Sequence, residues 1–256
     1  MSRTADRLAR WLKGRMDAAG ARGFVVGLSG GVDSAVVVRL CQTAAPGHTL
    51  GVILPCYSAL DDTADAVRVA EHFHLPAITV SLDATYDTLA AAAGAALRDA
   101  VPDAVSDTET ASKERTRLSL ANIKPRLRMT VLYFVANRLN YLVAGTGNRS
   151  ELAIGYFTKH GDGGVDLLPL GRLVKSEVRS LARDVGVPAS IIDKPPSAGL
   201  WLGQTDEGEM GFTYADLEAY LRNGPRAVAP AVAVKIERLA RASDHKRALP
   251  PLPDGE

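Results

Sequence analysis

A short glycine- and serine-rich segment near the start of the chain has the composition of a loop that binds anions. Its residues are Gly27, Leu28, Ser29, Gly30, Gly31, Val32, Asp33 and Ser34. Glycine lets a backbone approach a ligand closely, and the first turn of a helix presents unpaired N–H groups with a partial positive charge. Ser29 and Ser34 add hydroxyl donors, and the Asp33 carboxylate could hold a magnesium ion against phosphates. The segment therefore predicts a phosphate-binding turn.

Two common nucleotide-binding signatures do not fit this segment. It lacks the lysine of G-x-x-x-x-G-K-[ST] and the glycine spacing of G-x-G-x-x-G. A plainer alternative is a turn in which Asp33 and Ser34 only cap the helix that follows. The apolar strand expected before the segment and the helix expected after it favour the anion site.

The elements that would position this turn follow from alternating segments of β-branched and helix-forming residues. Strands are expected at 24–28, 50–54, 77–82 and 141–145, and helices at 33–45, 61–74 and 125–139. Because parallel strands need crossover connections, these helices would cover both faces of one sheet. We expect a single α/β domain over residues 1–256, built as a doubly wound parallel sheet flanked by helices.

The rest of the chain predicts further helices and two irregular segments. Additional helices are expected at 1–19, 214–221 and 228–241. The polar, acidic stretch 101–116 is expected to be a surface excursion. The segment 195–211, rich in proline and glycine, is expected to be an irregular mobile lid, and residues 249–256 should lie along the surface or fray.

Composition and charge exclude several classes of function. Thirty basic residues stand against 29 acidic ones, a net charge of +1 that favours neither nucleic acid nor an acidic membrane as a partner. The apolar stretches at 89–97 and 131–136 are shorter than the roughly 20 residues that span a bilayer. Cys41 and Cys56 have neither CxxC nor zinc-ligand spacing, so we expect buried, reduced thiols. These features predict a soluble cytoplasmic protein.

Two longer motifs stand in the middle of the chain. Residues 145–151 have the sequence GTGNRSE, and residues 155–166 have the sequence GYFTKHGDGGVD. Together with SGGVDS in the glycine-rich turn, they resemble the motifs of ammonia-dependent NAD synthetases, which carry the SGGxDS loop of the ATP pyrophosphatase superfamily. The resemblance covers nearly the whole chain, is weakest between residues 84 and 120, and continues at 195–201, 203–207 and 245–247. It implies an adenine nucleotide alpha hydrolase-like fold.

The resemblance implies a set of residues for ATP and Mg²⁺. ATP would be bound by residues 27–34, Thr146, Lys175 and Ser197, the last at a position where many relatives carry threonine. Asp33 and Glu151 would ligate Mg²⁺, and Asp33 and Lys175 would serve catalysis, with Lys175 neutralising charge on the leaving pyrophosphate. Glu151 could instead be an ordinary carboxylate in the first turn of a helix.

A second set would bind deamido-NAD. The resemblance implies for this role Arg126, Lys159, Asp166, His245 and Lys246. Arginine and lysine suit the pyrophosphate and carboxylate of that substrate, and Asp166 could accept hydrogen bonds from ribose hydroxyls or lie near the pyridinium charge. Arg126 could instead cover apolar surface with its stem, and His245 and Lys246 could belong to a solvated tail.

The implied reaction is that of a ligase in NAD biosynthesis. The nicotinate carboxylate of deamido-NAD would be adenylylated by ATP, and ammonia would displace AMP to give NAD, AMP and pyrophosphate. We expect no glutaminase domain, since the glycine-rich turn begins after 26 residues and neither cysteine resembles an amidase nucleophile. The resemblance also implies a homodimer, with the helix around 122–139 near the interface.

Two other functions compete with this interpretation. Another adenylylating enzyme of the superfamily, such as GMP synthetase or a tRNA-modifying enzyme, would share the glycine-rich turn. The chain has no CxxC and no basic surplus, which argues against the tRNA-modifying class. A noncatalytic sensor of adenine nucleotides would also bind ATP, although it would not need Asp33, Glu151 and Lys175 together.

Overall fold

The structure, a computed structural model, describes residues 2–101, 110–197, 199, 201 and 204–253. Its strands are β1 (Gly23–Leu28), β2 (Thr49–Ile53), β3 (Ala77–Thr79) and β4 (Tyr141–Val143). Its helices are α1 (Arg3–Ala18), α2 (Val32–Ala44), α3 (Leu60–His72), α4 (Asp83–Ala100), α5 (Thr110–Ala121), α6 (Ile123–Leu139), α7 (Arg149–Ile154), α8 (Lys175–Asp184), α9 (Ala189–Ile192), α10 (Asp206–Met210), α11 (Tyr214–Asn223), α12 (Pro230–Ala242) and α13 (Asp244–Arg247).

The four strands form one parallel sheet in the order β3-β2-β1-β4. Phe24 of β1 lies opposite Thr49 of β2, and Gly23 of β1 lies opposite Tyr141 of β4. Strands β2 and β3 therefore lie in sequence order on one side of β1, and β4 pairs with the other side of β1. In open α/β sheets, ligands bind beyond the carboxyl ends of the strands at such a reversal of strand order. The glycine-rich turn, which follows β1, lies at this point.

Both faces of the sheet are covered, as predicted for a doubly wound fold. Phe24, Val26 and Leu28 point to one face and pack in a core with residues of α1, α2, α3 and α8. Val25 points to the other face and packs with Ala136 of α6. This alternation follows from the two-residue period of a strand, because β1 is buried on both sides.

A third apolar cluster lies in the C-terminal part of the chain. It joins α7, α10, α11 and α12 through Ile154, Met210, Leu217 and Ile236. Because α10 contributes Met210 to this cluster, the end of the 195–211 segment is packed against the body of the protein. The cluster thus gives that segment a fixed attachment.

Several predicted elements have different bounds or content in the structure. The strand predicted at 77–82 ends at Thr79, although the Leu82 amide still donates to the Pro55 carbonyl at 2.8 Å. The segment 195–211 is not irregular throughout, since it contains α10, whose first turn is capped by the Thr205 side chain. In the excursion predicted at 101–116, residues 102–109 lie outside the described residues, and α5 begins at Thr110.

The thiols and the apolar helices agree with the predictions from composition. Cys41 and Cys56 are both buried and free, as expected of reduced thiols. Burial raises the pKa of both thiols, which makes them poor nucleophiles. Throughout the described ranges, every helix is too short or too polar to cross a lipid bilayer.

Candidate active site

The glycine-rich turn between β1 and α2 is held by its own serines. The Ser34 hydroxyl donates to the Gly31 carbonyl at 2.9 Å, and the Gly31 amide donates to the Ser29 hydroxyl at 3.3 Å. Ser34 is almost completely buried, so its hydroxyl supports the turn instead of facing a ligand. Gly30 has a φ of +76°, and a Cβ there would lie 2.6 Å from the Asp62 carbonyl oxygen. Only glycine fits this position.

Asp33, at the start of α2, forms an ion pair with Lys175 at the start of α8. Glu151 Oε1 lies 3.6 Å from the same Lys175 Nζ, and Asn148 Nδ2 donates to Asp33 Oδ1 at 3.1 Å. The Lys175 residue is only 4% exposed. Its burial opposes the charged form, but the Asp33 and Glu151 carboxylates raise the pKa of Lys175 above its ordinary value. The lysine is therefore a permanent cation beside the turn.

Glu151 is fixed at the start of α7 by a reciprocal capping box. The Glu151 amide donates to Asn148 Oδ1 at 3.1 Å, and the Asn148 amide donates to Glu151 Oε2 at 3.1 Å. Burial, and to a lesser extent the nearby Asp33 carboxylate, raises the pKa of Glu151 from 4.5 to about 8, although Lys175 lowers it. The raised pKa favours the protonated form of Glu151, and a further cation bound beside it would favour the ionised carboxylate.

These groups line one cavity of about 530 Å³ at the carboxyl end of the sheet. Its wall contains most of the residues predicted to contact ATP or metal: Gly27, Leu28, Ser29, Gly31, Val32, Asp33, Thr146, Glu151, Lys175 and Ser197. Gly30 and Ser34 are not part of the wall, because Gly30 faces α3 and Ser34 supports the turn. The volume lies in the usual range for small-molecule sites.

The basic residues predicted for the second substrate lie beside this cavity. Lys246 lines it and donates from Nζ to the carbonyls of Gly155 at 2.8 Å and Phe157 at 2.7 Å. Lys159 Nζ donates to the His245 carbonyl at 2.6 Å. These contacts join the GYFTK motif to the C-terminal HKR motif, which are distant in sequence.

Four of the predicted substrate residues do not line the cavity: Arg126, Lys159, Asp166 and His245. Asp166 accepts hydrogen bonds from the Val143 amide at 2.8 Å and the Tyr133 hydroxyl at 3.0 Å, which fixes it at the end of β4. Burial raises the pKa of Tyr133 to about 12, with Asp166 adding to the effect. Tyr133 and Asp166 are therefore paired with each other, and neither is among the residues that line the cavity.

Sequence reasoning missed Arg128, which lines the cavity where Arg126 does not. Arg128 Nε donates to the Leu54 carbonyl at 3.0 Å, and its Nη2 donates to the Ser58 hydroxyl at 3.2 Å. Two residues of a helix that are two positions apart point in nearly opposite directions. Arg126 is exposed for the same reason. The apolar period of α6 is weak, so the sequence carried no signal for choosing between them.

Sequence reasoning also gave no role to Asn148, Lys194 and Asp206. Asn148 stands three residues before Glu151, a spacing that predicts a capping box and would have identified it. Lys194 forms ion pairs with Asp62 at 2.8 Å and Asp65 at 2.5 Å, across a long sequence separation that no local pattern reveals. Asp206 lines the cavity from α10 and is almost completely buried.

Comparison with known proteins places this geometry in a family. A family model described as NAD synthase matches residues 4–250. A protein of Carboxydothermus hydrogenoformans named NH(3)-dependent NAD(+) synthetase is 52% identical over 97% of this chain and 96% of its own. Among solved structures, an NMN synthetase from Francisella tularensis is 37% identical, covers 98% of both chains and has a TM-score of 0.86. An NAD+ synthetase from Burkholderia pseudomallei is 32% identical, with a TM-score of 0.73 over 96% of this chain and 90% of that one.

These likenesses agree with the parallel sheet and the helices on its two faces, and they confirm the adenine nucleotide alpha hydrolase-like fold that the motifs predicted. The family match extends over nearly the whole chain and includes every element that contributes to the cavity. The chain therefore belongs to the NAD synthase family.

Proposed function

We propose that this chain catalyses the ammonia-dependent synthesis of NAD from deamido-NAD, with ATP converted to AMP and pyrophosphate. The observation that carries the proposal is the convergence of Asp33, Glu151 and Lys175 beside the glycine-rich turn in one cavity. Relatives named NH(3)-dependent NAD(+) synthetase at 52% and 44% identity support the same reaction.

The chemistry requires activation of a poor electrophile. A carboxylate resists ammonia because oxide would have to leave, so its oxygen must first become part of a better leaving group. The nicotinate oxygen attacks the α-phosphorus of ATP and pyrophosphate departs, which leaves a mixed anhydride with AMP. The ammonia nitrogen then bonds to the acyl carbon, and the C–O bond to AMP breaks. The protein needs to position and neutralise charge, with no covalent nucleophile of its own.

ATP is proposed to lie with its phosphates on residues 27–34, as the helix N-terminus and the unpaired amides favour. Thr146, which lies before α7, and Ser197, which lies after α9, both line the cavity and offer hydroxyl donors. Lys175 supplies a permanent positive charge where the pyrophosphate would leave. In this arrangement Asp33 and Lys175 are the catalytic pair.

Mg²⁺ is proposed to bind to the same carboxylates. Asp33 and Glu151 both approach the Lys175 ammonium group, so the two carboxylates lie together in the cavity wall. Mg²⁺ commonly takes one or two carboxylates and completes its shell with water and substrate phosphates, so no larger protein cluster is needed. Bound there, the ion would neutralise charge on the triphosphate. Asp33 and Glu151 are the residues proposed to hold it.

Deamido-NAD is proposed to enter beside ATP, with Lys246 at the wall of the cavity. The contacts between Lys159, His245 and Lys246 and their neighbours form one basic edge next to it. Arg126 Nη2 lies 3.5 Å from the Lys159 carbonyl and extends that edge. Asp166, fixed at the end of β4, would meet the substrate outside the cavity described for ATP.

A homodimer is proposed on the basis of the apolar side chains that α4, α5 and α6 leave exposed. No residue of α4 is buried, and α6 buries only Lys124, Pro125 and Ala136. Large apolar side chains remain exposed on α4, α5 and α6: Leu89, Leu97, Leu118, Leu120, Phe134 and Leu139. Patches of this kind mark interaction sites, and a second copy would cover them. The free thiols suit the reducing cytoplasm, which is the proposed location.

A second candidate substrate is the deamidated mononucleotide. The solved structure named NMN synthetase has a TM-score of 0.86 and 37% identity to this chain over nearly the full length. The same adenylylation and aminolysis would convert the mononucleotide, because the reacting carboxylate is identical in both substrates. Parallel assays with equal concentrations of mononucleotide and dinucleotide decide which has the higher kcat/KM.

The test of the proposal is product formation from purified protein, ATP, MgCl₂ and deamido-NAD with either ammonium or glutamine. We expect NAD, AMP and pyrophosphate in equal amounts with ammonium, and none with glutamine. Asp33→Asn should abolish the reaction, whereas Asp17→Asn, at an exposed position on α1, should not change it. Folded protein that binds ATP but forms neither NAD nor NMN would refute the proposal and favour a nucleotide sensor.

A further inference from the structure

Asp206, at the start of α10, has an unusual environment for a carboxylate. The residue is 4% exposed and lies in the wall of the cavity. Its Oδ2 accepts a hydrogen bond from the Tyr214 hydroxyl at 2.8 Å. Its Oδ1 is buried and has no hydrogen-bond partner within the described part of the chain. A buried, unpaired carboxylate oxygen is costly, so this oxygen points to a missing donor.

The Tyr156 and Tyr214 hydroxyl oxygens beside Asp206 can only accept hydrogen bonds from a further ligand. The Tyr156 hydroxyl donates its only proton to Glu209 Oε2 at 2.8 Å, and Gln204 Nε2 donates to the same oxygen at 2.7 Å. The Tyr214 hydroxyl likewise donates its proton to Asp206 Oδ2 in a hydrogen bond. A tyrosine oxygen whose proton is already donated can only accept from a third group. The local chemistry therefore requires a ligand rich in N–H or O–H donors.

The charge of this region favours a cationic ligand. Among the described residues, no lysine, arginine or histidine forms an ion pair with Asp206. Burial raises the pKa of Asp206, and the Tyr214 hydroxyl, the Lys175 cation and the Tyr156 hydroxyl oppose this rise. Lys175 contacts Asp33 and Glu151 and stands over the face of the Tyr214 ring, 5.4 Å from its centroid. Lys175 therefore also acts on Asp206 electrostatically, but it is already paired with Asp33 and Glu151, so the carboxylates in this region outnumber the cation.

The same contacts connect Asp206 to the proposed reaction centre. Tyr214 joins Asp206 on one side through its hydroxyl and Lys175 on the other through its ring. Lys175 is paired with Asp33, at the end of the glycine-rich turn. A small cation held at Asp206 would thus lie one side chain away from the groups proposed to hold the phosphates of ATP.

We propose that Asp206 Oδ1, with the hydroxyl oxygens of Tyr156 and Tyr214, forms the binding site for the ammonium ion, which supplies the substrate ammonia when it loses a proton. The inference rests on the proposed function and adds to it the residues that capture the nitrogen source. Four N–H donors in a compact ion match a buried oxygen that needs a donor among neighbours that can only accept.

The test compares the ammonium dependence of wild type and Asp206→Asn at saturating ATP and deamido-NAD. Loss of a charge-assisted hydrogen bond should raise the half-saturating ammonium concentration by about ten- to hundredfold. The KM values for ATP and deamido-NAD should stay within about twofold. Asp184→Asn, an exposed carboxylate on α8, is the matched control and should leave all three values unchanged.

A partial reaction separates ammonium binding from the chemistry of ATP. Exchange of labelled pyrophosphate into ATP needs deamido-NAD but no ammonium, so Asp206→Asn should retain it at the wild-type rate. Tyr156→Phe removes one acceptor oxygen while keeping the ring, and we expect a rise of about threefold in the half-saturating ammonium concentration. Tyr156→Phe therefore still tests the proposed ammonium site if Asp206→Asn folds poorly.

Three outcomes would overturn the ammonium site. An unchanged ammonium dependence in both variants would mean that water alone satisfies Asp206. Loss of pyrophosphate exchange in folded Asp206→Asn would place the residue in the first half-reaction. A parallel rise in the KM for ATP would show a general structural effect. If wild type forms no NAD or NMN from ammonium, it is the proposed function that fails, and the two failures are distinguishable.

Discussion

The glycine-rich turn and the α10 segment meet at the same cavity but are held in different ways. The serines of the turn hold it through hydrogen bonds between residues that are at most five positions apart, such as Ser34 to Gly31, and only Asp33 at its end has distant partners. The α10 segment is fixed by partners far away in sequence, including Tyr156, which lies 53 positions before Glu209. One region is thus encoded by a short motif and the other by packing of the C-terminal cluster. Lys175 connects them, since it pairs with Asp33 and covers Tyr214.

Removal of this connecting cation should have the largest effect. Lys175→Met keeps the length of the side chain but leaves Asp33 and Glu151 without their buried cation. We expect kcat/KM to fall by about 10³-fold, the loss usual when a group that stabilises developing charge is removed. Steady-state assays measure this loss. Lys13→Met, at an exposed ion pair on α1, should keep full activity, and an equal loss there would contradict the account.

The pH dependence of stability tests the environment of Glu151, which lies beside the connecting Lys175. Burial raises the pKa of Glu151 in the folded protein from 4.5 to about 8, so the folded state should bind this proton more tightly than the unfolded chain does. The folded state therefore binds more protons between these values, and the free energy of unfolding should fall as pH rises through this window. We expect a loss on the order of a few kcal/mol, measured by urea unfolding of ligand-free protein.

Two variants separate Glu151 from the other carboxylates in this titration. Glu151→Gln should flatten the pH profile between about pH 5 and pH 8, because the titrating group is gone. Glu71→Gln, at an exposed position of α3, should retain the wild-type slope. A wild-type profile that rises over this range would show that Glu151 is ionised in the folded protein.

A pair of glycine substitutions tests the local encoding of the turn. Gly30→Ala should destabilise the protein by about 3 kcal/mol, since both its positive φ and the contact with Asp62 oppose a Cβ. Gly186 also has a positive φ of +82° but has no atom within 4 Å of a Cβ, so Gly186→Ala should cost about 1 kcal/mol. Thermal unfolding compares the two variants. Equal losses would mean that packing against α3 contributes nothing.

The smallest effect is expected from the support of the C-terminal cluster. Buried Glu218 of α11 accepts from the Ser176 amide at 2.8 Å and also contacts the Ser176 hydroxyl, which ties α11 to the start of α8. Glu218→Gln keeps the shape but weakens these bonds, and we expect a loss of about 1–2 kcal/mol with ATP affinity nearly unchanged. Glu114→Gln on exposed α5 is the control. A stronger effect on ATP binding than on stability would contradict the separation of the two regions.

The contrast between local contacts in the turn and long-range contacts at α10 explains which features could be predicted from the sequence. The order of strands and helices and the cavity residues of the turn were predictable, because alternation and glycine positions are local signals. The motifs at 145–151 and 155–166 identified the family, and Glu151 and Asp33 both lie beside the Lys175 ammonium group. The roles predicted for all of the site residues remain predictions, and Arg126, Lys159, Asp166 and His245 lie outside the cavity wall.

What the sequence could not predict depends on contacts across the chain. The helix α10 is only five residues long and begins within a proline- and glycine-rich segment, so no periodic pattern marked it. The unpaired oxygen of Asp206 becomes visible only when Tyr156 and Tyr214 are placed around it. The resemblance implied an interface near 122–139, but the apolar side chains of α4 to α6 that stay exposed could not be predicted, because the amphipathic pattern of these helices is weak.

The measurement that tests the central claim most directly follows the oxygen atoms of the nicotinate carboxylate. Deamido-NAD with ¹⁸O at both carboxylate oxygens is incubated with the protein, ATP, MgCl₂ and ammonium, and the products are analysed by mass spectrometry. Attack of the carboxylate on the α-phosphorus predicts one ¹⁸O in the phosphate of every AMP and one in the amide of every NAD. Unlabelled AMP, or ADP as the nucleotide product, would contradict the account.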